Sequence, residues 1–410
     1  MSAPRVAFFT DSFHEVNGVA LTSREFVRFA AHSGNPFFSV HAGPRTRFFT
    51  EGELRTVEIA HSPLVLMLES DLRFDLLFYR HHRFVYEKLR AFAPDLIHVT
   101  GPSHSGMLGA ILAHELKVPL VASWHTNLHE FASRRIDPKV KWLGERGHRA
   151  AVDFAESETL KWTLRFYRFA KLLFAPNPEL VEMLIAATGH PTYLMKRGID
   201  VNLFSPARRT RRQESGSNGE FVIGFVGRLS PEKHVRAFAE VEQCLREHGI
   251  TDYRFLIVGD GSERPWLVDN LQQATLPGVL AGEALAEAYA NMDAFVFPSE
   301  TDTFGNVVLE AMASGVPVIV SKRGGPKFLV QQGNNGYIAG DFEDFVDALM
   351  DLRSHPTLHA RMSQGARATA LRHSWSAVFE QVHARYEEVL APGHASGSAE
   401  TGNIPLALVP

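Results

Sequence analysis

The sequence predicts an α/β protein made of two Rossmann-like, doubly wound domains facing each other across a cleft. Three observations predict it. The 410 residues are too many for one ordinary core, at roughly 150 residues per domain. Short β-rich runs alternate with longer helix-compatible segments, which is the rhythm of parallel βαβ units. That rhythm breaks once, at a polar stretch over residues 206–220, and then starts again. Doubly wound domains bind ligands at the carboxyl ends of their strands, so the cleft is the expected site.

Taken in order, residues 6–10 read as the first strand, and a helix follows from about Gly18. Residues 37–40, 95–99 and 118–122 are the next strands, short and rich in Val, Leu and Phe. Residues 172–175 and 192–195 are further strands, flanking a helix expected from Pro178 to Thr188. The first domain is expected to span 1–205. The linker, 206–220, carries Arg208-Arg209, Arg211-Arg212 and then Glu214-Ser-Gly-Ser-Asn-Gly-Glu220. The second domain, 221–373, has strands expected at 221–226, 253–258, 294–297 and 316–320. A helix over 374–390 is expected to cross back onto the first domain, and 391–410, small and patternless, reads as a disordered tail.

Composition narrows the function. With 45% hydrophobic and 21% charged residues the chain buries large cores, which excludes disorder. A net charge of −4 excludes a uniformly basic surface for nucleic acid. Charge is unevenly spread: 24 Lys+Arg against 21 Asp+Glu up to Ser205, and 18 against 25 beyond it, so the halves carry +3 and −7. The single cysteine, Cys244, excludes a disulfide framework and a cysteine zinc site. No apolar run approaches 18 residues, so a cytoplasmic protein is expected, with membrane contact at most peripheral and at the inner face.

Three strand-end loops in the second half carry the chemistry. Gly227-Arg228-Leu-Ser-Pro-Glu-Lys233 puts a glycine turn, a helix start expected at Pro231 and two cations within seven residues, which suits a diphosphate. The same spacing also fits ordinary surface cations. Gly259-Asp260-Gly261-Ser262 reads equally as a tight turn or as a ligand-facing loop. In the third loop a helix is expected to begin near Phe304 to Asn306, with Glu310 inside its first two turns. A carboxylate among Val308, Leu309, Ala311 and Met312 costs stability unless it has a partner, and the expected partner is a ligand's hydroxyl pair.

Asp302-Thr-Phe-Gly-Asn-Val-Val-Leu-Glu310 resembles the acid–seven residues–acid motif of the retaining nucleotide-sugar glycosyltransferases of family 4 (group 1), which have the GT-B fold. The resemblance spans nearly the whole chain. It includes Thr10-Asp-Ser, Val16-Asn17-Gly18-Val19, Ser123-Trp-His125-Thr126, Arg197-Gly198-Ile-Asp200, Gly227-Arg228 with Glu232-Lys233, and Gly324-Gly325-Pro326. The resemblance implies that Arg228 and Lys233 hold the donor diphosphate and Glu310 the ribose hydroxyls. Gly18, Gly227, Gly259 and the amides of Phe304, Gly305, Asn306 and Val307 would also contact the donor, and Asn17 and Arg197 the acceptor. His125, which taken alone fits a satisfied core histidine, would face the sugar, as would Asp302. No metal and no cofactor are expected; the nucleoside diphosphate sugar is a substrate.

Two departures stand out. Asp302 replaces the usual Glu, with an arm about 1.5 Å shorter, and His234 stands where Asn is usual. The mechanism implied is retaining hexosyl transfer from a GDP-mannose or UDP-hexose donor, by front-face attack of an acceptor hydroxyl. Rival readings are a catalytically silent sugar-nucleotide binder and a GT-B sugar-nucleotide epimerase. The acceptor is expected on the +3 half, where residues 73–84 and 161–171 mix basic and aromatic side chains that could dock on anionic lipid. Their other reading is aromatics in the core with solvated cations.

Overall fold

The computed structural model describes residues 3–15, 17–63, 65–67, 73–75, 77–129, 133, 136–140, 142, 144–211 and 220–391. Most of the expected linker, 212–219, and the expected tail beyond Ala391 lie outside the described residues. The chain divides into two compact units, Met1–Lys196 with Trp375–Pro410, and Arg197–Ser374. The division thus falls at Lys196 rather than at Ser205. The reason is packing: Phe204 is buried in the second unit's core, and Ile199 N donates to His373 O at 3.2 Å.

The strands of the first unit are β1 (Val6–Thr10), β2 (Phe37–Gly43), β3 (Arg47–Glu51), β4 (Leu54–Ala60), β5 (Val65–Met67), β6 (Arg73–Asp75), β7 (Leu96–Val99), β8 (Leu120–Ser123), β9 (Leu172–Ala175) and β10 (Thr192–Leu194). The main sheet runs β10-β9-β8-β7-β1-β2-β4-β3, and β5 pairs with β6 separately. All neighbours in the main sheet are parallel except the edge hairpin β3–β4. Side chains alternate across a strand, so Val6 and Phe8 enter one core while Ala7 and Phe9 enter another on the opposite face. Both faces are therefore covered, as a doubly wound sheet requires.

The helix Trp375–Leu390 belongs to this first unit. Its Phe379 stacks on Phe26 of the helix Gly18–Ser33 at 4.5 Å between ring centroids, and Tyr386 reaches His98 on β7. Val378, Phe379, Val382 and Tyr386 complete the core that Phe8 and Phe37 begin.

In the second unit β11 (Phe221–Val226), β12 (Tyr253–Val258), β13 (Ala274–Gly278), β14 (Ala294–Phe297), β15 (Val318–Ser321) and β16 (Gly336–Ala339) form a parallel sheet in the order β13-β12-β11-β14-β15-β16. The first two connections wind outward from β11 to β13 and the third returns past it to β14, which puts the topological switch point beside the carboxyl end of β11. Sequence patterning missed β3, β4, β5, β6, β13 and β16: β3 is an exposed edge, β5 and β6 are three residues each, β13 contains Pro277, and β16 opens on Gly336. Among the described residues no helix is long and apolar enough to cross a membrane.

Phe379→Ala should remove about 3–5 kcal/mol from the first unit, the usual cost of a fully buried Phe. Urea unfolding followed by near-UV dichroism checks this, and a loss below about 1 kcal/mol would contradict the packing role given to the helix.

Candidate active site

The site of the second unit is built from main chain before side chains. Gly227 N donates to Val258 O at 3.0 Å and Leu229 N to Asp260 O at 2.9 Å, so the loops after β11 and β12 are hydrogen-bonded to each other. They approach so closely that a Cβ at position 259 would lie 1.9 Å from Gly227 O. Gly259 also has φ +138°, so only glycine fits there. This glycine turn is thus a tight one, packed on the neighbouring loop. Arg228, half-buried, follows directly on the same loop.

The expected α-helix at Pro231 is absent. Pro231–Lys233 form a single 3₁₀ turn, His234 at φ +52° ends it, and the α-helix starts only at Ala237. Histidine and asparagine are among the few non-glycine residues that tolerate this left-handed region, which accounts for His234 at a position where Asn is usual. The 3₁₀ turn aims Lys233 at the third loop. Its Nζ donates to both oxygens of Asp302, at 2.8 and 2.6 Å, and lies 5.5 Å from the Phe297 ring centroid. The expected clamp lysine and the first acid of the motif are thus an ion pair with each other.

The third loop ends at Gly305, in the left-handed region at φ +88°, and the helix Asn306–Ala313 starts without a side-chain cap on its first amides. Its preceding turn is held from outside. A Cβ at Gly325 would lie 1.9 Å from Thr303 O, and Gly325 N donates to Asp302 O at 2.6 Å. Asn306 and Val307 are half-buried, and Phe304 and Gly305 are buried.

Glu310, only 9% exposed, takes a partner from the protein itself: Tyr289 Oη donates to its Oε2 at 2.8 Å. This corrects the expectation that only a ligand offsets its burial. Burial raises the carboxyl from 4.5 to about 7, and the Tyr289 bond pulls it partly back. Burial, the nearby Glu310 charge and the same hydrogen bond raise the Tyr289 hydroxyl well above its ordinary range. Arg197, expected at the acceptor in the first domain, lies instead in the second unit. It is buried, its guanidinium is 5.9 Å from the Phe304 ring centroid, and burial lowers it to about 10. Its packing is therefore with the third loop.

In the first unit Asn17 is the N-cap of the helix Gly18–Ser33, its Oδ1 accepting from Ala20 N at 2.8 Å. That bond occupies the side-chain oxygen expected at the acceptor. Gly18 is the exposed first residue of the helix. His125, buried, follows β8, with Nε2 2.7 Å from Ser123 Oγ. The same Oγ is 3.1 Å from His98 Nε2, whose Nδ1 is 2.5 Å from Tyr386 Oη. Burial holds His98 near 3, so it stays neutral and has one donor and one acceptor nitrogen. With Tyr386 donating, the donors run Tyr386 to His98 to Ser123 to His125, which fixes the His125 tautomer.

Sequence reasoning missed Tyr289, which lies 21 positions from Glu310 on another helix, and the support that His98 and Tyr386 give His125 from 288 positions apart. No local spacing marks either. Of the two basic–aromatic segments, 161–171 has Phe166 and Tyr167 in the core while Lys161, Arg165 and Arg168 are exposed, which is the solvated-cation arrangement. The side chains of Arg73 and Phe74 lie outside the described residues.

Residues 16–203 match the family described as Glycosyltransferase Family 4, and residues 220–355 match Glycosyl transferases group 1. A GDP-mannose-dependent alpha-mannosyltransferase of Mycobacterium tuberculosis is 36% identical over 307 residues, covering 73% of this chain and 75% of that protein. A protein of the same name from Corynebacterium glutamicum is 30% identical over 329 residues, 78% of this chain and 75% of the relative. Among solved structures, a sucrose-phosphate synthase of Thermosynechococcus elongatus superposes with a TM-score of 0.72 at 18% identity, over 94% of this chain and 98% of that one. The HepE protein of Anabaena, solved with UDP and glucose, gives 0.65 at 20% identity, over 94% and 99%. The two likenesses establish a shared fold.

The raised carboxyl of Glu310 has a stability signature. The folded state binds its proton more tightly than the unfolded chain, so this stabilisation is complete below about pH 4.5 and lost as pH rises through about 7. Glu310→Gln should therefore flatten the pH dependence of stability over this window and stabilise the protein at pH 8, by on the order of 3 kcal/mol at most. Thermal melts between pH 4.5 and 8 check it; a variant less stable than the parent at pH 8 would refute it.

Proposed function

The chain belongs to the family 4, group 1 glycosyltransferases, and we propose that it moves a mannosyl group from GDP-mannose to a hydroxyl acceptor with retention of anomeric configuration. Glycosyl transfer is the chemistry of the family and of this chain. The fold is GT-B, with two parallel-sheet α/β units. GDP-mannose is favoured over a UDP-hexose because mannosyltransferases dependent on it are the relatives at 30–36% identity.

The observation that carries the reading is the Lys233–Asp302 pair beside the uncapped start of Asn306–Ala313, with Glu310 on that helix. A diphosphate entering there meets Arg228, Lys233 and uncapped amides, three compensating groups in one place. As Lys233 turns to phosphate, Asp302 is released to a sugar hydroxyl. Glu310 accepts from the ribose hydroxyls, alongside Tyr289. Hydroxyl donors favour its ionised form, so donor binding strengthens as pH rises through about 7.

Between the two retaining routes, the carboxylates favour front-face attack. In this reading Asp302 is given to a sugar hydroxyl, and Glu310 is buried on Tyr289 and given to the ribose, so neither serves as the nucleophile that a two-step mechanism needs. In the front-face route the C1–O(phosphate) bond breaks and the C1–O(acceptor) bond forms on the same face, and a departing phosphate oxygen takes the acceptor's proton. Arg228, Lys233 and the helix amides stabilise the leaving charge, work that needs no metal. His125 of the first unit is the histidine whose tautomer the Ser123 bond sets. The acceptor lies on that unit, in a lipid or a lipid-linked glycan; Trp142 and Phe154, 80% and 69% exposed, supply apolar contact with a membrane surface at the cytoplasmic face.

With GDP-mannose, Lys233→Ala should lower kcat about 10²–10³-fold, the usual cost of one lost oxyanion donor, while added Mg²⁺ leaves the parent rate unchanged. The product should be the α-anomer by proton NMR. A β-product would overturn retention, and tight donor binding without turnover would favour the silent binder. Sedimentation with anionic vesicles should recover the parent but less of Trp142→Ala/Phe154→Ala; equal recovery would count against membrane contact.

A further inference from the structure

We propose that His14, His41 and Glu58 of the first unit form a binding site for a divalent transition cation of the zinc class. One donor atom from each lies within 4.8 Å of the others. In a tetrahedral zinc site donors stand about 3.3 Å apart, from bonds of about 2.05 Å, so closure needs a contraction of up to about 1.5 Å. The mobile partner for that step is His14, whose side chain is half exposed in the loop after β1, while the other two are fixed in the sheet.

The sheet places them. His41 on β2 and Glu58 on β4 are register partners in a parallel pair, so their side chains stand side by side on one face. The His41 ring is held flat by Phe13, stacked at 3.9 Å, and Ser39 Oγ lies 3.3 Å from its Nδ1. Glu58, with its side chain 1% exposed, receives Arg47 from the neighbouring edge strand on Oε2, at 2.6 Å. Its Oε1 is buried with no hydrogen-bond partner, and His14 Nε2 is 3.8 Å from it.

Burying a carboxylate oxygen without a donor is costly, so this oxygen points to a missing partner. Gly43 leaves the space that the Glu58 side chain fills, since a Cβ there would lie 2.0 Å from Oε1. Two imidazoles and a carboxylate favour zinc over magnesium or calcium, which take oxygen ligands. The Arg47 contact leaves Oε1 to bind alone and orients the carboxylate from outside, as outer partners of metal ligands do. Three protein ligands leave a fourth position for water or a substrate oxygen. A bound ion would tie the loop that carries Phe13 and His14 to β2 and β4.

The test uses the full chain stripped of metal with chelator and desalted. ZnCl₂ titration should give one ion per chain and a raised Tm, and CoCl₂ should give the visible bands of a tetrahedral ion. His14→Ala, on an exposed side chain that folding does not need, should weaken zinc at least about tenfold, the lower cost of losing even an outer partner. Glu58→Gln should do the same, and His32→Ala, on an exposed helix face, should change nothing. No stoichiometric uptake at about 10 μM zinc, or uptake that His14→Ala and Glu58→Gln leave unchanged, overturns the proposal.

Discussion

At the carboxyl ends of the second unit's strands, main chain lies directly on main chain. Gly259 meets the carbonyl of Gly227, and Gly325 meets that of Thr303, at separations no side chain allows. This contact fixes where Arg228, Lys233, Asp302 and Phe304 can stand, because each belongs to a loop whose backbone is pinned on a neighbouring loop. The cations and acids of the site are thus positioned by a scaffold that makes no use of their charge. A side chain inserted at either glycine would move two loops at once.

Charge in this scaffold is paired locally. Lys233 is matched by Asp302, Glu310 by a hydroxyl, and Arg197 is sealed against Phe304. The acidic half, at −7 from its sequence, therefore needs no broad basic field to attract phosphate. In the first unit the organising groups are neutral: His98, Ser123 and Tyr386 form a buried chain of hydroxyls and imidazole behind His125. Ion pairing steers one unit and proton position the other.

The parallel strands were legible because their runs are apolar and uninterrupted, as in Phe221–Val226 and Leu172–Ala175. The third loop was legible too, since its acids, glycines and helix start lie within nine residues. Partners contributed from far along the chain were not. Tyr289 looks like any core tyrosine in an alanine-rich helix, and nothing near Arg197 indicates which unit it enters. Asn17 was legible only in part: an amide before a helix serves as a cap or as a ligand contact, and the structure shows the cap, in the bond to Ala20 N. At Pro231 the pattern for an α-helix start was present, but His234 in the left-handed region broke it after one turn.

The helix Trp375–Leu390 has a consequence for the order in which the protein is made. Residues up to Lys196 leave the ribosome first, yet the face around Phe26 and Phe8 stays uncovered until Phe379 and Tyr386 have been synthesised. The second unit needs nothing from either end, since its core is complete once Ser374 emerges. The half synthesised first is therefore the last to close. Throughout that interval an aromatic surface is presented to the cell, a natural binding target for a nascent-chain chaperone.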